Sequence, residues 1–122
     1  MNAWCHVHRK TDDKPFSIFR VNSSNVLEHK YYDGSVWQPP ETNWEVLVDY
    51  ATLDLTAAPA TCSWAPNRMD VFAKVDGSEC LLHTYYDGTT WKPGKADDPE
   101  VFCGVNSGAA AVSWVSQFSA NL

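Results

Sequence analysis

The sequence lacks an excess of positive charge and lacks any long apolar run. Its 122 residues carry 9 Lys and Arg against 15 Asp and Glu, which gives a formal net charge of −6. Nucleic acids and anionic membrane surfaces both attract basic surfaces, so we expect neither as a partner. No run of about 18 apolar residues occurs, and we therefore expect no segment inserted in a membrane.

Signatures of catalysis and of metal binding are also missing. The patterns G-x-S-x-G, H-E-x-x-H and G-x-x-x-x-G-K do not occur, and no Cys-x-x-Cys pair is present for zinc. His6 and His8 stand two positions apart in a strand-like stretch, which would place both on one face of a strand. They could bind a transition metal only together with ligands from elsewhere in the chain. A glycosidase needs two carboxylates that face one bond, which no pattern here indicates. We expect no enzyme, no cofactor and no metal.

A secretory leader is not evident either. Met1 is followed by "NAWCHVHRK", which contains no apolar core, so we expect a cytoplasmic protein, unless it is released by an unconventional route. In that compartment the four cysteines are expected to be free thiols. Cys5, Cys62 and Cys103 lie in apolar, strand-like stretches, which suits small buried side chains.

Aromatic residues, in contrast, are abundant. They make up 13% of the chain, with six Trp and five Tyr, beside 44% hydrophobic and 20% charged residues. This is the composition of one globular domain rather than of a disordered chain. The excess of aromatics requires a role, either in packing or in stacking against a ligand.

The aromatics recur in an internal repeat. "HKYYDGSVW" (29–37) returns as "HTYYDGTTW" (83–91), at a spacing of 54 positions. Residues 16–34 align with residues 70–88 without a gap, which pairs Arg20 with Lys74. The opening "APATCSW" (58–64) returns as "GAAAVSW" (108–114). We therefore expect blade-like units at about 3–50 and 57–105 and a partial unit at 108–122.

The sequence of each unit predicts a set of short strands. Runs such as "FSIFRV", "MDVFAKV" and "CLLHTYY" are aromatic and β-branched, and each ends in a turn signal. Asp33-Gly34 and Asp87-Gly88 stand between apolar runs, which is a strong hairpin signal. Four strands per unit are expected, the last being "TTWKPG" or "EVFCG". Repeats of about this length are typical of propellers and solenoids, so we predict an all-β fold of four-stranded antiparallel propeller blades.

The second unit resembles the blade repeat of the bacterial seven-bladed propeller lectins of the Photorhabdus type. The resemblance is carried by "SWAPNR" (63–68), "DVF" (70–72) and His83 followed by "TYYDG". Ala65 stands where those repeats have glycine, and Tyr85-Tyr86 stands where they have a pair of Trp. The resemblance implies a propeller fold and binding of a fucose-like or O-methylated sugar.

The chain is also similar to the fungal six-bladed fucose lectins, through "AAVSW" (110–114) and the Tyr-Asp-Gly-x-x-Trp ending. Those lectins hold the sugar with an Arg on the second strand and a Glu on the third. At these positions this chain has Ser17 or Val71 and His29 or His83. Neither charge is retained, so the bacterial pattern, with His, fits better.

Two blades and part of a third cannot close a ring, because sheet faces and strand edges would stay open. We therefore expect a homo-oligomer, with a homotrimer of six blades favoured over other copy numbers.

The candidate ligand-binding residues are those that offer an aromatic plane or a polar group between blades, since a sugar presents an apolar C–H face and a rim of hydroxyls. They are Trp37, Trp91, Tyr32, Tyr86, His29, His83, Arg20, Lys74, Trp64 and Trp114. Each has a structural alternative: the Trp residues pack sheets together, the His residues lie in the core, and Arg20 and Lys74 are solvated charges. Asp33 and Asp87 are expected to serve as turn residues.

We expect a non-catalytic, multivalent lectin that binds fucosylated or O-methylated glycans. A propeller that acts as a scaffold for another protein is the alternative. Several weak sites on one ring would gain strength through effective concentration, which is a reason for the repeat.

Overall fold

The computed structural model describes residues 2–6, 16–49, 51–93 and 100–107, with residues 2–6 and 16 described by their backbone. These residues form two antiparallel sheets, and none of them lies in a helix. The predicted all-β class is thereby confirmed. In the same ranges no helix is long and apolar enough to cross a membrane. The partial unit at 108–122, with Trp114, lies outside the described residues, as does His8.

The two sheets have the same strand order. Sheet 1 contains β1 (Asn2–His6), β2 (Phe16–Val21), β3 (Leu27–Tyr32), β4 (Trp37–Gln38) and β5 (Glu45–Val48), and sheet 2 contains β6 (Ala60–Cys62), β7 (Met69–Lys74), β8 (Cys80–Tyr86), β9 (Trp91–Lys92) and β10 (Glu100–Cys103). In sheet 1, β1, β2 and β3 pair in sequence, and both β4 and β5 pair with β3; sheet 2 repeats this with β9 and β10 on β8. The two alternatives predicted for the fourth strand, "TTWKPG" and "EVFCG", therefore both contain a strand, β9 and β10. Each sheet thus has five strands instead of the four predicted: a four-stranded meander and one further short strand.

The Asp-Gly turns join the third strand of each sheet to the short fourth one. Asp33 Oδ1 accepts hydrogen bonds from the N–H groups of Ser35 and Val36, at 2.8 and 2.9 Å. Asp87 Oδ1 makes the same two contacts in the second turn, at 2.8 and 2.9 Å. Gly34 and Gly88 have φ values of 105° and 103°, which L residues with a side chain rarely adopt. The prediction that the two Asp residues serve the turns is confirmed.

The sheets pack face to face, and the core lies in the seam between them. The seam face of sheet 1 presents Phe19, Leu27 and His29, which are 0%, 0% and 3% exposed. The seam face of sheet 2 covers it with Val71 and Leu82, both at 0% exposure, and with Trp91. The edge strands β1 and β6 of the two sheets are neighbours. Burial of these side chains stabilises the pair of sheets, at about 1.5–3 kcal/mol for each large one.

The described part of the linker between the sheets, residues 51–59, is hydrogen-bonded to both sheets. Leu53 is fully buried, its N–H donates to the carbonyl of Asn25 at 2.9 Å, and it forms a bridge with Val75. Asn25 Nδ2 returns a hydrogen bond to the carbonyl of Leu53 at 2.8 Å. On the other side, the Asp54 N–H donates to the carbonyl of Lys74 at 2.8 Å. The linker thus joins the loop after β2 to the end of β7.

The strand register corrects the gapless alignment. His29 pairs with Phe19, whereas His83 pairs with Phe72, so the second strands are related by a shift of 53 positions and the third strands by 54. Five residues separate Val21 from its partner Leu27, whereas six separate the corresponding pair, Lys74 and Leu81. Arg20 therefore corresponds to Ala73, and the predicted equivalence of Arg20 and Lys74 is wrong.

The cysteines also differ from expectation. Cys80 and Cys103 face each other across β8 and β10 and form a disulfide. The expectation of free thiols is wrong for these two residues, because a pairing across strands from distant parts of the chain has no local sequence signal. Cys62 is a free thiol and is half-buried, which raises its pKa.

Candidate functional site

A cluster of polar and aromatic side chains occupies the outer face of sheet 2, the face turned away from the seam. Strand alternation places Asp70 and His83 there, because Asp70 pairs with Tyr85 and His83 pairs with Phe72. Asp70 is the centre of the cluster. It lies on the same strand as the core residue Val71, so the packing of the core fixes its position.

Asp70 accepts hydrogen bonds from three side chains. Arg68 donates through Nε to Oδ1 at 2.7 Å and through its terminal nitrogen to Oδ2 at 2.9 Å, a bidentate pair. Trp64 Nε1 donates to Oδ1 at 3.0 Å. Burial acts to raise the pKa of Asp70, but the hydrogen bonds from Arg68 and His83 outweigh it and hold the pKa below its usual 3.8. The same pairing raises the pKa of Arg68.

His83 connects Asp70 to the edge of the sheet. Its Nε2 lies 2.7 Å from Asp70 Oδ2, and its Nδ1 lies 2.9 Å from Glu100 Oε1 on β10. A neutral imidazole carries one N–H, so both contacts are hydrogen bonds to carboxylates only when the ring is doubly protonated. The Glu100 side chain is 58% exposed.

Aromatic rings surround the polar groups. The guanidinium of Arg68 lies 3.9 Å from the centre of the Tyr85 ring and 4.9 Å from that of Trp64, within the range of cation–π contacts. The His83 ring stacks between Phe72, at 4.7 Å, and Tyr85, at 5.6 Å. Trp64 is 47% exposed. The cluster therefore offers an accessible apolar plane beside fixed donors and acceptors.

The candidate residues predicted from the sequence divide among three places. His83 and Trp64 come together in the cluster. His29, Tyr86 and Trp91 meet in the seam instead, where the Trp91 ring lies edge-on to His29 at 5.3 Å and tilted against Tyr86 at 5.5 Å. The remaining described candidates, Tyr32, Trp37, Arg20 and Lys74, lie on the two outer faces, and for all of them ligand binding stays a prediction.

The environment of His29 differs from that of His83. Both ring nitrogens of His29 are buried without a hydrogen-bond partner among the described residues. Nε2 lies 3.4 Å from Glu45 Oε1, an ion-pair distance that lacks hydrogen-bond geometry. Glu45 pairs with His29 as Glu100 pairs with His83, so a His–Glu pair recurs in both sheets.

A second charged cluster lies on the outer face of sheet 1. Arg20 Nε lies 2.5 Å from Glu28 Oε1, and the Arg20 guanidinium lies 3.9 Å from the centre of the Trp44 ring. Lys30 is 8% exposed, and its ammonium donates to the carbonyls of residues 39, 41 and 43. Lys74, in contrast, donates to the carbonyls of Val75 and Ser78 at the end of its own strand.

Five members of the cluster on sheet 2 were not among the predicted site residues: Arg68, Asp70, Phe72, Tyr85 and Glu100. Arg68 directly precedes β7 and stands two positions before Asp70, a spacing that the sequence contains. Tyr85 follows His83 by the same spacing. Glu100 carries no such signal, because the pairing of β10 with β8 joins residues 17 positions apart across a turn and an extra hairpin.

No family model matches the chain, and no curated protein matches it. Two solved structures of a mutant of the Aleuria aurantia lectin are similar in shape. One, in complex with Fucα1-6GlcNAc, is 12% identical with a TM-score of 0.43; the other, in complex with α-methyl-L-fucoside, is 13% identical with a TM-score of 0.44. The likeness covers 95% of this chain but 52% and 51% of the lectin, so the chain spans about half of its length.

Proposed function

We propose that the protein is a non-catalytic carbohydrate-binding protein whose site is the cluster around Asp70. The observation that carries this is the exposed ring of Trp64 beside the hydrogen-bonded groups of Arg68, Asp70 and Glu100. Such an aromatic plane packs against the C–H face of a pyranose, while donors and acceptors at its rim bind hydroxyls. Fucosylated or O-methylated glycans are the proposed ligands, in keeping with the resemblance to lectin repeats.

We also propose that several copies form a ring, with a trimer favoured. The described residues form two similar sheets whose outer faces both carry charged and aromatic groups. A ring would repeat the site and would convert weak single affinities into avidity. Agglutination of cells that display the glycan is the expected result.

Titration with α-methyl-L-fucoside and with an O-methylated sugar, followed by tryptophan fluorescence and calorimetry, tests the proposal. We expect saturable binding that Trp64→Ala weakens by about tenfold or more, as removal of a central aromatic contact does. Leu55→Ala is the control, because Leu55 is similarly exposed, at 40%, and lies in the linker. If neither these sugars nor a glycan array gives binding at millimolar concentration, the proposal fails and a protein-binding scaffold is favoured.

A further inference from the structure

Strand β10 contributes a carboxylate to the cluster around Asp70 from the edge of sheet 2. Glu100 Oε1 lies 2.9 Å from His83 Nδ1. The strand pairs with β8 over four residues, from Glu100 opposite His83 to Cys103 opposite Cys80. Among the described residues, no strand pairs with the other side of β10. The position of this edge strand therefore decides whether Glu100 reaches the cluster.

Burial does little to hold β10 in that position. All four of its residues are exposed, including Val101 at 43% and Phe102 at 48%. The corresponding strand of sheet 1, β5, buries Leu47 and Val48 at 5% and 0% exposure. Burial of apolar surface is the main favourable term in the packing of a strand, so β10 lacks the anchor that β5 has.

The polar contacts of β10 are of a kind for which water competes. The side chain of Glu100 is 58% exposed, and an ion pair with so exposed a partner contributes little to stability. The Val105 N–H donates to the carbonyl of Glu79 at 2.7 Å and continues the ladder beyond the strand. Such backbone bonds have a small net value, because the open strand would bond to water instead. These contacts alone hold the strand marginally.

The Cys80–Cys103 disulfide is the strong link between β10 and the rest of sheet 2. It joins the last residue of β10 to the first residue of β8. The strands β3 and β5 of sheet 1 contain no cysteine, so the covalent link occurs in the sheet whose last strand lacks a buried anchor. Cys103 is among the exposed residues of β10, and exposed disulfides are open to exchange with thiols.

We propose that the Cys80–Cys103 disulfide is a redox switch that holds β10, and with it Glu100, against the cluster around Asp70. A thiolate of a dithiol reductant attacks one sulfur and forms a mixed disulfide, while the other cysteine leaves as a thiolate. The second thiol of the reductant then breaks the mixed disulfide and releases the remaining cysteine. Two electrons and two protons pass to the two cysteines, and the reductant becomes an internal disulfide.

Reduction leaves β10 with its weak contacts, so the strand separates from β8 and Glu100 leaves His83. The rest of the cluster stays in place, because Asp70 and His83 lie on β7 and β8, the strands that also carry the core residues Val71 and Leu82. The oxidised protein thus presents the cluster with its second carboxylate, and the reduced protein presents it without. The movement of β10 requires no ligand, whereas its effect on sugar binding rests on the proposed function.

Amide hydrogen exchange of the full chain, followed by mass spectrometry, tests the movement. The proteins are the oxidised wild type, the wild type reduced with dithiothreitol, and a Cys80→Ser, Cys103→Ser double variant. At exchange times too short for global unfolding, we expect residues 100–105 to exchange at least about tenfold faster in the last two proteins. Residues 45–48 on β5 are the matched control and should not change. Dithiothreitol should not alter the double variant, which excludes an effect through Cys62.

Two results of this experiment would overturn the switch. If residues 100–105 exchange at the same rate after reduction, the other contacts of β10 are sufficient to hold it. If all strands exchange faster at the same short times, the disulfide holds the whole sheet rather than β10 alone.

Titration with α-methyl-L-fucoside measures what the switch does to the proposed site. We expect the reduced wild type and the double variant to bind about tenfold more weakly than the oxidised wild type, as loss of one hydrogen bond to a charged group does. Glu100→Ala in the oxidised protein should bind as weakly. Release of β10 with unchanged sugar binding would overturn the control of the site. If the oxidised wild type binds no sugar, the proposed function fails, and hydrogen exchange still decides the switch.

Discussion

Asp70→Ser is the most informative single change in the protein, because it gives sheet 2 the residue that sheet 1 has at the equivalent position, Ser17. The substitution removes the acceptor of Arg68, of Trp64 Nε1 and of one nitrogen of His83. Asp70 is 6% exposed, so water replaces it poorly. We expect the folded state to be clearly less stable.

The size of the effect follows from the exposure of the partners. Removal of one member of a buried ion pair costs about 3–5 kcal/mol. Here the side chains of Arg68 and His83 are 22% and 12% exposed, and water partly solvates them after the loss. We therefore expect a loss of about 2–3 kcal/mol, which lowers the melting temperature of a domain of this size by roughly 10 °C.

The difference is expected to depend on pH. The pKa of Asp70 in the folded protein lies below the usual 3.8, so its stabilisation is complete above that value and is lost as the pH falls through the lowered pKa. The gap between wild type and Asp70→Ser should be full at neutral pH and should close in stronger acid. Asp33 and Asp87 also have lowered pKa values, but they are present in both proteins and cancel in the difference.

Calorimetry of both proteins between neutral pH and about pH 2 is the assay, since this range spans the titration of a carboxyl group. A gap smaller than about 0.5 kcal/mol at neutral pH would place Asp70→Ser among ordinary surface changes and refute the account of the cluster. A gap that persists undiminished in acid would show that the stabilisation does not depend on the ionised carboxylate.

Three further changes test the fold. Trp91→Ala opens the core, so we expect it to lower the free energy of unfolding, measured in urea, by about 3–5 kcal/mol. Trp37→Ala should lower the free energy of unfolding of the monomer by less than about 1 kcal/mol. Equal losses in the two variants would contradict the packing described for the seam. Cys80 and Cys103 are 23 positions apart, and reduction of their disulfide should lower the free energy of unfolding by about 3 kcal/mol, because the unfolded chain gains the entropy of the opened loop. An unchanged melting temperature would contradict this. Lys30→Met should lower the free energy of unfolding by about 1–3 kcal/mol, because three carbonyls lose a donor. Amide hydrogen exchange of residues 41–43 should accelerate, and unchanged exchange would count against the role given to the ammonium.

The strands and turns could be predicted from the sequence because their causes are local. Asp33 and Asp87 bond backbone groups within three residues, and Gly34 and Gly88 supply the backbone angle that the same turns need. The repeat of these turns indicated two similar units, and alternation along each strand indicated which residues share a face. Of the site, Trp64 and His83 could be predicted in this way.

The strand register and the disulfide could not be predicted, because they depend on contacts between residues distant in the sequence. One extra residue between the paired positions Lys74 and Leu81 shifts the register of the second sheet, so Arg20 corresponds to Ala73. The gapless alignment of the two repeats did not indicate this shift. Cys80 meets Cys103 because β10 pairs with β8 rather than with a later strand.

The sequence by itself determined a pair of antiparallel sheets, because strand propensity and turn chemistry act over a few residues. It placed His29 and His83 in the same short motif and made no distinction between them. Only the tertiary structure decided that one is buried beneath Trp91 while the other joins Asp70 and Glu100 on an accessible face. The reason is that a face becomes core or surface according to which sheet packs on it, and that contact depends on the whole chain.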